Sequence, residues 1–130
     1  MLGLLELVLE VEDVDRSLGF YRGLLGMPEL VRWGEPRPAA WVRMGPGQAL
    51  GLWPARTGGP GVANGGARGG AHVHLAFRIE EGSIEVWAER LRRAGYAVEG
   101  PLASEVGVAI FVADPDGHVV ELEEWHAPTS

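Results

Sequence analysis

Leu7-Val8-Leu9-Glu10-Val11-Glu12-Asp13 and Leu75-Ala76-Phe77-Arg78-Ile79-Glu80-Glu81 are two copies of one pattern, 68 positions apart. Apolar residues recur at every second position, as in a strand with one buried face, and each copy ends in two acids. Each leads into apolar residues spaced by three or four, the stripe of a half-buried helix. These are Val14, Leu18, Tyr21 and Leu25 after the first copy, and Ile84, Trp87, Leu91 and Ala94 after the second. Gly26 and Gly95 follow, where a left-handed C-cap stops a helix. Beyond each helix lies a short strand, Leu30 to Trp33 or Ala97 to Glu99, and then a hairpin. The first hairpin turns at Gly45-Pro46-Gly47 between Trp41–Met44 and Gln48–Trp53. The second turns at Asp114-Pro115-Asp116-Gly117 between Ile110–Ala113 and His118–Glu123. The turns align at an offset of 70, so the copies drift by two residues. The expected fold is α+β: tandem β-α-β-β-β modules forming a cupped mixed sheet.

The modules are expected at residues 1–53 and 72–126, with a short tail at 127–130. Between them, 54–71 hold seven glycines and two prolines in eighteen positions, which predicts a linker or a flap over a site.

All eleven basic residues are arginine; the chain has no lysine and no cysteine. That excludes lysine Schiff bases, a P-loop lysine, cysteine nucleophiles, disulfides, thiolate zinc and iron-sulfur sites. Eighteen acids give a net charge of −7, against the basic stripe of a nucleic-acid binder, so no nucleic-acid partner is expected. The apolar opening Met1-Leu2-Gly3-Leu4-Leu5 lacks a basic flank, and Glu6 and Glu10 interrupt it well short of a membrane span. A cytoplasmic protein with no membrane partner is expected.

One helix per four strands covers one face of a sheet and leaves the other for a cup. Alternation turns Leu7, Leu9 and Val11 toward the first helix, and Val73, Leu75, Phe77 and Ile79 toward the second. Into the cup it turns Glu6, Glu10, Trp41, Arg43, Trp53, His72, His74, Arg78, Phe111, Glu121 and Glu123. Ionisable groups on such a face cost several kcal/mol unless paired, solvated or bound to metal. Glu6, His74 and Glu121 form the best trio for a divalent ion, with Fe, Mn, Zn or Ni suited by ligand type. The bland alternative is a set of rim residues in salt bridges with Arg43 or Arg78. His72, two residues from His74, offers a two-histidine, one-carboxylate set with Glu121, or is simply exposed after the linker. Trp41, Trp53 and Phe111 suit an apolar wall for a small-molecule ligand, or a plug that closes the cup.

Several stretches together resemble the vicinal oxygen chelate superfamily of glyoxalase I, bleomycin-resistance proteins, extradiol dioxygenases and fosfomycin-resistance transferases. They are Glu12-Asp13-Val14-Asp15-Arg16-Ser17, Phe20-Tyr21, Leu24-Leu25-Gly26, and Phe111-Val112-Ala113-Asp114-Pro115-Asp116-Gly117 before Val119-Val120-Glu121-Leu122. The resemblance implies metal ligands at Glu6, Gly51, His74 and Glu121. His74 and Glu121 match the family's residue types, Glu6 stands in for His or Gln, and Gly51 stands where glyoxalase I has a carboxylate. It thus implies a divalent-metal-dependent lyase, dioxygenase or transferase acting on a small oxygen-chelating substrate, and argues against glyoxalase I itself. In that reading Glu6 or Glu121 doubles as general base, Arg43 or Arg78 orients an anionic substrate, and Trp41, Trp53, Phe111 and Glu123 line its pocket. The alternatives are a metal-free drug or metabolite binder and an interaction module whose cup is packed shut. The resemblance also implies a homodimer.

Overall fold

The computed structural model of the chain describes residues 1–63 and 69–127, which fall into two compact units, Met1–Gly70 and Ala71–Ser130. The first unit contains β1 (Glu6–Val11), α1 (Val14–Leu18), β2 (Glu29–Arg32), β3 (Ala40–Gly45) and β4 (Gln48–Pro54). The second contains β5 (Leu75–Arg78), α2 (Ile84–Arg93), β6 (Val98–Ala103), β7 (Gly107–Ala113) and β8 (Val119–Trp125). Strand orders are β1-β4-β3-β2 and β5-β8-β7-β6, and in both the first pair is parallel and the rest antiparallel. The duplicated α+β architecture is therefore present strand for strand. Residues 64–68 of the expected linker and 128–130 of the tail lie outside the described residues; the linker's start forms a 3₁₀ turn at Gly61–Ala63.

The two helices depart from the sequence pattern in instructive ways. Asp13 caps α1 by accepting from the Arg16 amide at 3.0 Å. After Leu18 the α-helix widens into a π-helical stretch, Gly19–Leu24, with the Leu25 amide donating to the Phe20 carbonyl at 2.9 Å. Gly19 and Gly23 weaken the α-helical preference here. The wider winding buries both Phe20 and Tyr21, edge to face at 4.9 Å. Gly26 and Gly95 stop the helices at φ 76° and 93°, as expected.

In the second unit, Ser83 occupies the N-cap of α2, but its hydroxyl donates to the Glu80 carbonyl. Glu124 caps the helix instead, accepting from the Ile84 amide at 2.8 Å. Those backbone donors, Ile84 first and then Gly82, hold the Glu124 carboxyl below the ordinary glutamate range.

Fully buried Leu18, Leu50 and Leu52 in one unit, and Leu91, Ile110 and Val120 in the other, pack between helix and sheet. Each such side chain contributes about 1.5–3 kcal/mol, against about 0–1 for an exposed pair such as Arg93–Glu89, so the helix side holds each unit together. Burial fades toward the open edge of β1, where Leu7 is 37% exposed although it faces the helix side. Among the described residues no helix is long and apolar enough to cross a membrane.

Because Glu124 is held in its charged form by the fold, its stabilisation is complete above the ordinary glutamate pKa. It disappears as pH falls through the lowered folded-state value. Glu124→Ala should lower the melting temperature at neutral pH, on the order of 5 °C, and the gap from wild type should close in acid. Thermal unfolding by circular dichroism across pH reads both.

Candidate functional site

On the helix-free face of the first unit, Gly51 of β4 sits between Val8 of β1 and Trp41 of β3. The Trp41 indole Nε1 donates to Glu6 Oε1 at 2.5 Å directly over it. A Cβ on residue 51 would come within 2.9 Å of Trp41 Nε1 and 3.2 Å of Glu6 Oε1 and Val8 Cγ2. The position that the resemblance pairs with a carboxylate therefore has no room for any side chain. Trp33, Trp41 and Trp53 pack around it with ring centroids 4.9, 5.3 and 5.7 Å apart. Trp33 is 47% exposed and so presents part of this wall to solvent; it lies just beyond β2, where period-two reading did not assign it a face.

On the helix-free face of the second unit, His74 Nε2 lies 2.9 Å from Glu121 Oε2. His74 Nδ1 lies 2.8 Å from the carbonyl oxygen of His72. A carbonyl only accepts, so Nδ1 carries a proton and donates. Nε2 then faces the carboxylate oxygen at hydrogen-bonding distance, a contact that one shared proton satisfies. Glu121 is nearly buried, and Phe111 packs edge-on to the His74 ring at 6.0 Å. Glu123, next along the same face, is pushed above the ordinary glutamate range, first by burial and then by the charge of Glu121.

Several expected roles are thereby sorted. Among the described residues Glu6 makes no ion pair with Arg43, nor Glu121 with Arg78; Glu6 accepts from Trp41 and Glu121 pairs with His74. Arg43 is exposed, and the Arg78 guanidinium donates to the Trp125 carbonyl at 3.1 Å. His72 and His74 precede β5 instead of alternating within it, because β5 begins at Leu75, and His72 enters the site through its carbonyl oxygen. Among the described residues no three His, Asp or Glu side chains gather in metal-binding geometry; the His74–Glu121 pair supplies two donors.

Two features were missed by sequence reading. Glu99 of β6 lies opposite Phe111 of β7, which lies opposite Glu121 of β8, so all three share one face. The charge is also divided unevenly: the first unit holds seven acids and seven arginines, whereas the second holds eleven acids and four arginines and carries the whole −7. Both were available from the repeat, by counting each copy separately and by carrying alternation one strand further.

Residues 3–122 match the family model described as "Glyoxalase/Bleomycin resistance protein/Dioxygenase superfamily". The chain is 29% identical over 120 residues to the glutathione transferase FosA of Serratia marcescens, covering 89% of this chain and 76% of that one. It is 32% identical over 131 residues to the lactoylglutathione lyase of Salmonella typhimurium, covering 93% and 91%. Among solved structures it is similar, at 20% identity, to a mutant of the fosfomycin resistance protein FosX from Listeria monocytogenes complexed with Mn(II) and 1S,2S-dihydroxypropylphosphonic acid. That match has a TM-score of 0.75 and covers 95% of this chain and 93% of that one.

Gly51→Ala should displace the Trp41 indole and break its hydrogen bond to Glu6, lowering stability by about 1–3 kcal/mol. Chemical denaturation measures the loss, and a change in tryptophan emission reports the movement of the indole. An unchanged spectrum and stability would mean the site has more room than the structure gives it.

Proposed function

The chain belongs to the glyoxalase/bleomycin resistance protein/dioxygenase superfamily, the vicinal oxygen chelate proteins, and on that premise we propose that it is a divalent-metal-dependent enzyme acting on a small oxygen-chelating substrate. The observation that carries this reading is the His74–Glu121 contact, with Nδ1 engaged by the His72 carbonyl and Nε2 turned to the Glu121 carboxylate. One imidazole and carboxylate oxygens suit Mn, Fe, Zn or Ni. Glu6, the further donor that the resemblance implies, accepts from the Trp41 indole within the first unit. A bound divalent ion supplies Lewis-acid polarisation of two adjacent substrate oxygens. Within the second unit, Glu121 would take up a substrate proton as general base, with Phe111 and Glu123 beside it. Mn(II) in the FosX structure is consistent with this assignment. The crowding over Gly51 argues against the glyoxalase I reaction, which in the resemblance uses a carboxylate there.

A second reading, a metal-free binder of drugs or metabolites, is favoured by one observation, the partly exposed Trp33–Trp41–Trp53 wall. A homodimer accompanies either reading, because β1 leaves an open sheet edge flanked by exposed Leu4, Leu5 and Leu7. Light scattering should return about twice 13.9 kDa.

Calorimetric titration of chelator-treated protein with Mn(II) or Zn(II) should give one site per chain. His74→Ala and Glu121→Gln should each weaken it by more than the roughly 10–100-fold seen when outer-shell partners are lost. Affinity should fall in acid, where protons compete for Nε2 and the carboxylates. Turnover that survives chelation, or metal binding indifferent to both residues, would remove the metal reading.

A further inference from the structure

A groove of about 340 Å³ lies at the end of the second unit's sheet where β6 begins, β7 ends and β8 begins, with Phe111 between it and His74. Ala97, Val98, Phe111, Val112, Ala113 and Val119 give it hydrocarbon walls, and Glu99 is the one ionisable residue of its lining. Phe111 touches the groove on one side and the His74 ring on the other, so whatever fills the groove abuts the site. Glu99 is exposed and makes no hydrogen bond or ion pair among the described residues. The positive groups of this unit are committed elsewhere. Arg90 and Arg93 belong to α2, which packs on the other side of the sheet; Arg92, also on α2, donates to the Gly100 carbonyl at 3.2 Å; and Arg78 donates to the Trp125 carbonyl. With −7 concentrated in this unit, an anionic ligand meets repulsion in the groove, and a cation is drawn to it.

We propose that this groove selects the substrate: a small aromatic compound bearing a protonated amine, its ring against Phe111 and its ammonium group on Glu99. This deepens the metal-enzyme reading by naming the substrate class. The contact itself is reversible recognition, an ammonium donating to a carboxylate beside apolar walls that partly exclude water. Glu99 is then a specificity residue that leaves the reacting oxygens to the His74–Glu121 site.

Three isosteric probes test it on the wild-type chain by NMR or calorimetric titration at low salt: 2-phenylethylamine, 2-phenylethanol and 3-phenylpropionate. The amine should bind at least about fivefold more tightly than the alcohol, with the carboxylate weakest. Raising salt should narrow that gap, because the ammonium–Glu99 attraction is screened. Glu99→Gln should bring amine and alcohol to within about twofold while leaving the affinity for the alcohol unchanged. Binding of none of the three, equal affinities, or a ranking that survives Glu99→Gln would overturn the proposal. Mn(II) titration of the wild-type chain separates the two readings: metal binding without an amine preference leaves the metal reading standing, and an amine preference without metal binding removes only the metal reading.

Discussion

A ten-residue helix, or a shorter one extended by a π-helical turn, can cover one face of a four-stranded sheet and no more. In each unit that face takes nearly all the large buried apolar side chains, among them Leu18, Leu50 and Leu52 in one and Leu91, Ile110 and Val120 in the other. The opposite face is left without an apolar cover, and its residues need not be apolar for the unit to fold. Chemistry can accumulate there at little cost to stability. Glu6 and the tryptophans on one face, and His74, Phe111, Glu121 and Glu99 on the other, occupy that freedom.

The two faces use it differently, although they descend from one repeated pattern. In the first unit a glycine at position 51 admits the Trp41 indole, and the indole satisfies Glu6. In the second, small residues at Ala76 and Ala109 flank Glu121 and Glu123 in the sheet register, and the carboxylates keep their place beside an imidazole. The Trp41 indole answers the carboxylate in one copy and the His74 ring nitrogen answers it in the other. The division of charge follows the same line, with a neutral first unit and an acidic second one.

Much of this was legible in the residues themselves. Alternation and the repeat are enough for eight strands and two helices, and both helix-stopping glycines sit where expected, since each feature is written locally. The π-helical winding after Leu18 was not legible, because the apolar spacing of Val14, Leu18, Tyr21 and Leu25 fits an ordinary helix equally well and only packing of Phe20 and Tyr21 together distinguishes them. His74 and Glu121 were found together as cup residues, but the partners of Glu6 and of His74 Nδ1 were not. That Trp41 rather than an arginine answers Glu6 depends on three strands meeting at Gly51, and that His72 acts through its carbonyl depends on β5 starting at Leu75. Carrying alternation to β6 puts Glu99 on the face of Phe111 and Glu121, but only the groove beside it gives a lone exposed carboxylate a meaning.

The central claim is that His74 presents Nε2 to a cation shared with Glu121 while Nδ1 stays bound to the His72 carbonyl. Two-dimensional NMR of the histidine ring nitrogens reports each nitrogen separately. With chelator-treated protein titrated by Zn(II), the account predicts that the Nε2 resonance of His74 shifts to a metal-bound position while Nδ1 remains protonated. A Nε2 resonance that ignores the metal, or coordination through Nδ1 with loss of the His72 contact, would contradict it.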